Sequence, residues 1–106
     1  MCSSNNVIHG NIVKNNDDGG IMLEGSSSNI ISENNITDNG ELGYRDYGIV
    51  LTYLSIWEGY WPPIYSDNNT IIRNNITKNT GGIKLESSNH NNVSRNIITA
   101  NDEGII

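Results

Sequence analysis

The chain has no phenylalanine, one cysteine (Cys2) and two prolines (Pro62 and Pro63). A lone thiol forms no internal disulfide, so the fold has to rest on non-covalent packing. The apolar fraction is 35%, below the ordinary globular share, which excludes a large aromatic core. Positive charge is also scarce: six Lys and Arg stand against twelve Asp and Glu, for a net charge of −6. Neutralising a phosphate backbone takes clustered basic side chains, so no nucleic-acid partner is expected. No apolar run is long enough to span a bilayer. The opening Met1-Cys2-Ser3-Ser4 lacks the basic start and apolar core of a secretion signal.

Asparagine is what the chain has in excess, nineteen residues of 106. Eleven of them fall into three periodic columns, which disorder does not require. Asn69, Asn74 and Asn79 stand five residues apart, with Ile71 and Ile76 each two residues after an asparagine. The same frame runs through Asn29, Ile31, Asn34, Ile36 and Asn39, and through Asn91, Val93, Asn96, Ile98 and Asn101. A first copy reads as Asn5, Val7, Ile12 and Asn15, with Gly10 in place of the middle asparagine. Each copy closes on Gly-Ile-x-Leu, at Gly20–Leu23, Gly48–Leu51 and Gly82–Leu85, and the last on Gly104-Ile105-Ile106. A repeat of this period means stacked structural units.

Alternating β-branched residues and no helical periodicity read as short strands. The shortest period, Ile71 to Val93, is 22 residues, enough for a coil of three short strands and three turns. Stacked coils pair each strand with its counterpart about 4.8 Å away. The expected inward residues are Val7 and Ile12 in the first coil, then Ile31, Ile36, Ile49 and Leu51 and their counterparts, with Ile36, Ile76 and Ile98 in one ladder. The asparagines are placed at corners, because asparagine tolerates left-handed geometry and stacked amides can hydrogen-bond along the rod. Glycine reaches the same geometry, which accommodates Gly10.

Asn-Asn-x-Ile-x-x-Asn-x-Ile-x-x-Asn followed by Gly-Ile-x-Leu resembles the repeat of pectate-lyase-like right-handed parallel β-helices. It is most similar to carbohydrate-binding and sugar-hydrolase β-helix repeat proteins and to NosD-like periplasmic proteins. The resemblance covers the chain apart from residues 40–47 and 52–65. It implies an all-β, right-handed solenoid of about four coils of 22 or more residues, forming one domain over residues 1–106. It says little of function, since the repeat encodes the coil and not a site. The last copy stops before its leucine, which reads as a segment of a longer solenoid.

Function in solenoids tends to sit in insertions. The second coil runs 40 residues, from Ile31 to Ile71, with insertions at 40–47 and 52–65. All seven aromatics lie in it: Tyr44, Tyr47, Tyr53, Trp57, Tyr60, Trp61 and Tyr65. They either pack as a satellite core on the flank or stack on sugar rings. Six are candidate ligand-binding residues: Tyr44, Tyr47, Tyr53, Trp57, Tyr60 and Trp61. The expected groove lies between the two insertions, with Asp17 and Asp18 on its rim.

Acids gather on one turn: Asp17 and Asp18, Glu41 and Asp46, Asp102 and Glu103. Such a cluster suits a glycosidase pair, a calcium site at Asp17 and Asp18, or simply a solvated turn. Lyases and epimerases of the resembled fold use calcium-binding acids or a basic residue near the sugar. Arg45 and Asp46 are the only compact set of that kind, and no family motif maps onto them. Copper would need Cys2, Met22, His9 and His90. His9 reads into an outward column with Glu33, Arg73 and Arg95, and His90 into a turn, so they do not converge. Four glycosylation sequons stand at Asn35, Asn68, Asn75 and Asn92, and the repeat itself generates those at Asn35 and Asn75. Thr37, Thr77 and Thr99 form an outward column that Val13 interrupts.

The expected function is a non-enzymatic repeat module of a surface, exported or periplasmic protein, either binding polysaccharide or acting as a spacer. The alternative is part of a polysaccharide lyase, epimerase or glycoside hydrolase. Expected partners are a glycan, neighbouring coils of a parent chain, or further copies joined end to end through uncapped faces.

Overall fold

Every coil repeats one path of three short strands, and the corners between them carry the asparagines. The structure, a computed structural model, describes residues 2–41, 46–55 and 62–106. Coil one holds β1 (Val7–His9), β2 (Ile12–Lys14) and β3 (Ile21–Glu24). Coil two holds β4 (Ile30–Ser32), β5 (Asn35–Thr37) and β6 (Tyr47–Thr52). Coil three holds β7 (Thr70–Ile72), β8 (Asn75–Thr77) and β9 (Gly81–Leu85). Coil four holds β10 (Asn92–Ser94), β11 (Ile97–Thr99) and β12 (Glu103–Ile105). Like strands stack in parallel into three four-stranded sheets, ordered β1-β4-β7-β10, β2-β5-β8-β11 and β3-β6-β9-β12.

The core is a set of aliphatic ladders. Ile31 pairs with Ile71, Ile36 with Ile76 and Ile49 with Ile83, and all six are fully buried with Leu51. A buried aliphatic side chain of this size contributes roughly 1.5–3 kcal/mol. The ladder from Ile36 through Ile76 to Ile98 holds as expected from sequence.

Coil one corrects the sequence reading by one residue. Ile8 pairs with Ile31 and Val13 with Ile36, while Val7 and Ile12 face outward at 63% and 71% exposure. The asparagines of this coil are therefore Asn6, Asn11 and Asn16, stacked on Asn29, Asn34 and Asn39. No glycine interrupts the columns. The same shift moves His9 opposite Ser32 and Lys14 opposite Thr37, so Lys14 and not Val13 heads the threonine column. His9 still reaches Glu33 sideways, at 3.8 Å, and Arg73 lies 3.9 Å from the other oxygen of that carboxylate.

The corners also assign asparagine a different task. Left-handed φ belongs to the residue before each ladder asparagine: Ser28, Glu33, Asp38, Asn68, Arg73, Lys78, His90, Arg95 and Ala100, with Asn5, Gly10 and Asn15 in coil one. None of the ladder asparagines has positive φ. They are there for their amides. Asn34 N–H and Nδ2 both donate to Asn74 Oδ1, each at 3.0 Å. Asn74 Nδ2 in turn donates back to Ile31 O at 2.9 Å. One asparagine so satisfies both neighbouring backbones at a bend where no strand ladder can, as burial requires. The third corner adds serine to its asparagine column: Ser3 N–H donates to Ser26 Oγ and Ser26 N–H to Ser66 Oγ.

Gly20, Gly48 and Gly82 open the third sheet for a steric reason. A Cβ on Gly20 would lie 2.4 Å from Gly48 O, and one on Gly82 2.6 Å from Gly104 O. Stacked backbones approach too closely there for a side chain.

Candidate functional site

The third sheet is the one whose strands adjoin both insertions. Its middle strand β6 follows directly on Asp46 and is followed by Tyr53. Alternation along the strands fixes what faces out. Ile49 and Leu51 point inward, so the outward rows are Met22, Val50 and Lys84, then Glu24, Thr52 and Glu86, set by the pairing of β3, β6 and β9. A groove of about 270 Å³ runs over these rows, bordered by Tyr53 and Ser55. Thr52 Oγ1 lies 3.2 Å from Glu86 Oε2. A second hollow of about 510 Å³ continues past Met22 and Val50 to Asp18 and Tyr47. Together they make a channel across one flank of the rod.

Tyr47 stands at the start of this face. It stacks in the column of Gly81 and Glu103. Its ring lies across Gly81, where an added Cβ would come within 2.2 Å of Cδ1. Its hydroxyl donates to Glu103 Oε2 in coil four. Lys84 Nζ sits 5.7 Å from the ring centroid, within cation–π range. Asp46 is 5% exposed, its carbonyl accepts Gly81 N–H at 3.2 Å, and its Cβ packs on Gly40.

At the other border, Leu54 and Ile64 exchange two antiparallel backbone hydrogen bonds, at 2.8 and 2.9 Å. They pack beside Gly25 of coil one, where any Cβ would meet Leu54 at 2.9 Å. Ser66 Oγ then pins the return of the chain to Thr52 O at 2.6 Å. The second insertion thus leaves and rejoins the coil at one tied base. Tyr53 and Tyr65 are exposed, at 37% and 40%.

Of the residues singled out from sequence, Tyr47, Tyr53 and Asp18 border the channel, and Asp46 is buried and lines neither hollow. Tyr44, Arg45, Trp57, Tyr60 and Trp61 lie outside the described residues. Asp17 and Asp18 are solvent-exposed, and Glu41 N–H donates to Asp17 O at 3.1 Å, so coils one and two share that rim. Among the described residues no three His, Cys, Asp or Glu side chains gather as a metal site. Glu24, Lys84, Glu86 and Thr52 were missed. Their signal was the variable position of Gly-Ile-x-Leu and the residue after it, which a strand must turn outward.

Over residues 1–106 the chain matches the family of the right handed beta helix region. It belongs to that family. No curated protein and no solved structure matches the chain. In this β-helix the three parallel sheets are the three faces of a right-handed coil. Among the described residues it has no helix long and apolar enough to cross a membrane.

Proposed function

We propose that this β-helix is a non-enzymatic module that binds a polysaccharide along the outer face of its third sheet. The observation that carries the reading is the channel itself. It follows the strands of the third sheet, from Asp18 and Tyr47 at one end to Glu24, Glu86 and Tyr53 at the other, an elongated outline that suits a few linked sugar units. It is bordered by the exposed ring of Tyr53, and a flat amphipathic ring beside hydroxyl and carboxylate groups suits a sugar face; Tyr47, packed on Gly81 and 9% exposed, walls the other end. Polysaccharide is met outside the cytoplasm, so the accompanying localisation is a surface, exported or periplasmic protein.

A titration with neutral, basic and acidic oligosaccharides, read by tryptophan fluorescence and calorimetry, tests the reading. Binding that Tyr53→Ala weakens at least fivefold, with the β spectrum unchanged, supports it. Absence of binding to every class leaves the module as a spacer.

A second reading rests on one pair of residues. Glu24 and Glu86 stand on either side of Thr52 on the same face, two strand spacings or about 9.5 Å apart along the rod. Inverting glycosidases separate their carboxyl groups by about 6.5–9.5 Å. Release of reducing ends from a bound glycan, abolished by Glu24→Gln and by Glu86→Gln, would move the protein to the hydrolases.

A further inference from the structure

Of the nineteen asparagines, one is followed by glycine: Asn39, before Gly40. Nine stand before valine, isoleucine or threonine, whose branched Cβ crowds the following backbone nitrogen, and the other nine before Asn, Asp or His. Glycine has no Cβ and turns freely, so the Gly40 nitrogen can reach Cγ of the Asn39 side chain. When it attacks, a Gly40 N–Asn39 Cγ bond forms and the Cγ–Nδ2 bond breaks. The amide leaves as ammonia, carrying the proton of the attacking nitrogen. Water then opens the cyclic imide at either carbonyl and leaves aspartate or isoaspartate at position 39. The step needs no oxidant, reductant or enzyme.

The fold requires this glycine and then locks the pair. Gly40 has a φ of 84°, and a Cβ there would lie 2.5 Å from Asp46 Cβ and 2.9 Å from Thr80 Oγ1. It stands where the first insertion leaves the coil. Asn39 belongs to a column that runs one way, each N–H donating to Oδ1 of the next from Asn16 to Asn39 to Asn79 to Asn101. It is fully buried. Its Oδ1 accepts Asn16 N–H at 3.2 Å and Asn16 Nδ2 at 2.8 Å. Its Nδ2 donates to Val13 O at 2.9 Å and to Asn79 Oδ1 at 3.0 Å. The attacking nitrogen is held as well, since Gly40 N–H donates to Asn16 O at 2.8 Å. Cγ therefore cannot swing over that nitrogen without breaking bonds to coils one and three.

We propose that Asn39 is a deamidation site that stacking closes and unfolding opens, and that its conversion bars the chain from refolding. The same bonds that protect the amide make its loss decisive. A carboxylate at position 39 sets oxygen against Val13 O and Asn79 Oδ1, where the amide donated. It also places a charge in a fully buried corner. Isoaspartate further adds a backbone atom between residues 39 and 40, just where Gly40 N–H has to meet Asn16 O. Each unfolding event thus starts a chemical clock at the base of the first insertion. Once that chemistry outpaces refolding, the working stability of the chain is a rate and not an equilibrium.

The test holds the folded chain and the chain unfolded in urea side by side at mildly alkaline pH. Mass spectrometry with peptide fragmentation then reads each exchange of NH2 for OH and the asparagine that carries it. In urea, Asn39 should convert at least fivefold faster than any other asparagine. In the folded chain it should convert at least tenfold more slowly than in urea. The yield of native β spectrum after dilution from urea should fall in step with conversion at position 39. Asn39→Asp, made directly, should show no native spectrum, whereas Asn75→Asp, at an exposed position one strand on, should fold. Three results overturn the proposal: Asn39 converting as fast folded as unfolded, conversion in urea spread evenly over the asparagines, or a native spectrum from Asn39→Asp or from chain converted at position 39.

Discussion

The Tyr47 hydroxyl donates a hydrogen bond to Glu103 two coils away, across the bare backbone of Gly81. The contact exists because the middle coil has no side chain in that column. It ties coils two, three and four at the border of the channel, where the first insertion rejoins the sheet.

The first prediction follows from that gap. Gly81→Ala places a methyl 2.2 Å from the Tyr47 ring, and the ring has to move. The expected loss is about 1–3 kcal/mol, as for other overpacking changes, read as a lower urea midpoint. Tyr47→Ala in the same background should relieve part of that loss. Additive losses would show that ring and methyl do not compete.

Register is tested by a pair of aspartates. Ile76→Asp buries a carboxylate between coils where Ile36 and Ile98 are its neighbours. The cost is on the order of the whole folding stability of a domain, about 5–15 kcal/mol, and no native spectrum is expected. Ile12→Asp, on an outward and 71% exposed position, should change stability by no more than about 0.5 kcal/mol. Comparable damage from both would sink the coil-one register.

Adjacent asparagines should differ sharply. Asn74→Ala removes the acceptor of Asn34 N–H and the side-chain donor to Ile31 O, and leaves Asn34 Nδ2 only its bond to Ile8 O, at about 1–3 kcal/mol for each buried group left unpaired. Asn75→Ala removes only an exposed amide 3.4 Å from Asn35 and should be close to neutral. Thermal melts of the two variants, one residue apart, measure the ladder against the surface.

For the channel, Tyr53→Ala and Lys84→Ala should weaken glycan binding, while Thr77→Ala on the second sheet should leave it unchanged. Equal affinity in all three would move any glycan site off the third sheet.

Much of the fold was legible because the coil is a local device. Each unit restates the same apolar alternation and the same Asn-x-apolar-x-x-Asn spacing, so three copies agreed on one frame. Coil one was misread where the letters double. Asn5-Asn6, Val7-Ile8, Ile12-Val13 and Asn15-Asn16 satisfy two frames equally, and only Asn11 beside Gly10 tells them apart. The task of the asparagines was also half legible. Their place at corners follows from spacing, but the left-handed residue proved to be the one before, because φ at a bend depends on where the next strand must start.

The sequence by itself determined the coil, its period, the inward ladders from coil two onward and the places where two insertions leave it. Those features depend on contacts between residues a fixed distance apart, and periodicity records such distances. The tertiary structure decided the first-coil frame, the direction of the asparagine columns and the channel that sets Glu24, Thr52 and Glu86 side by side. These arise only when coils of 23, 40 and 22 residues are stacked, which aligns side chains according to the backbone step and not their separation along the chain.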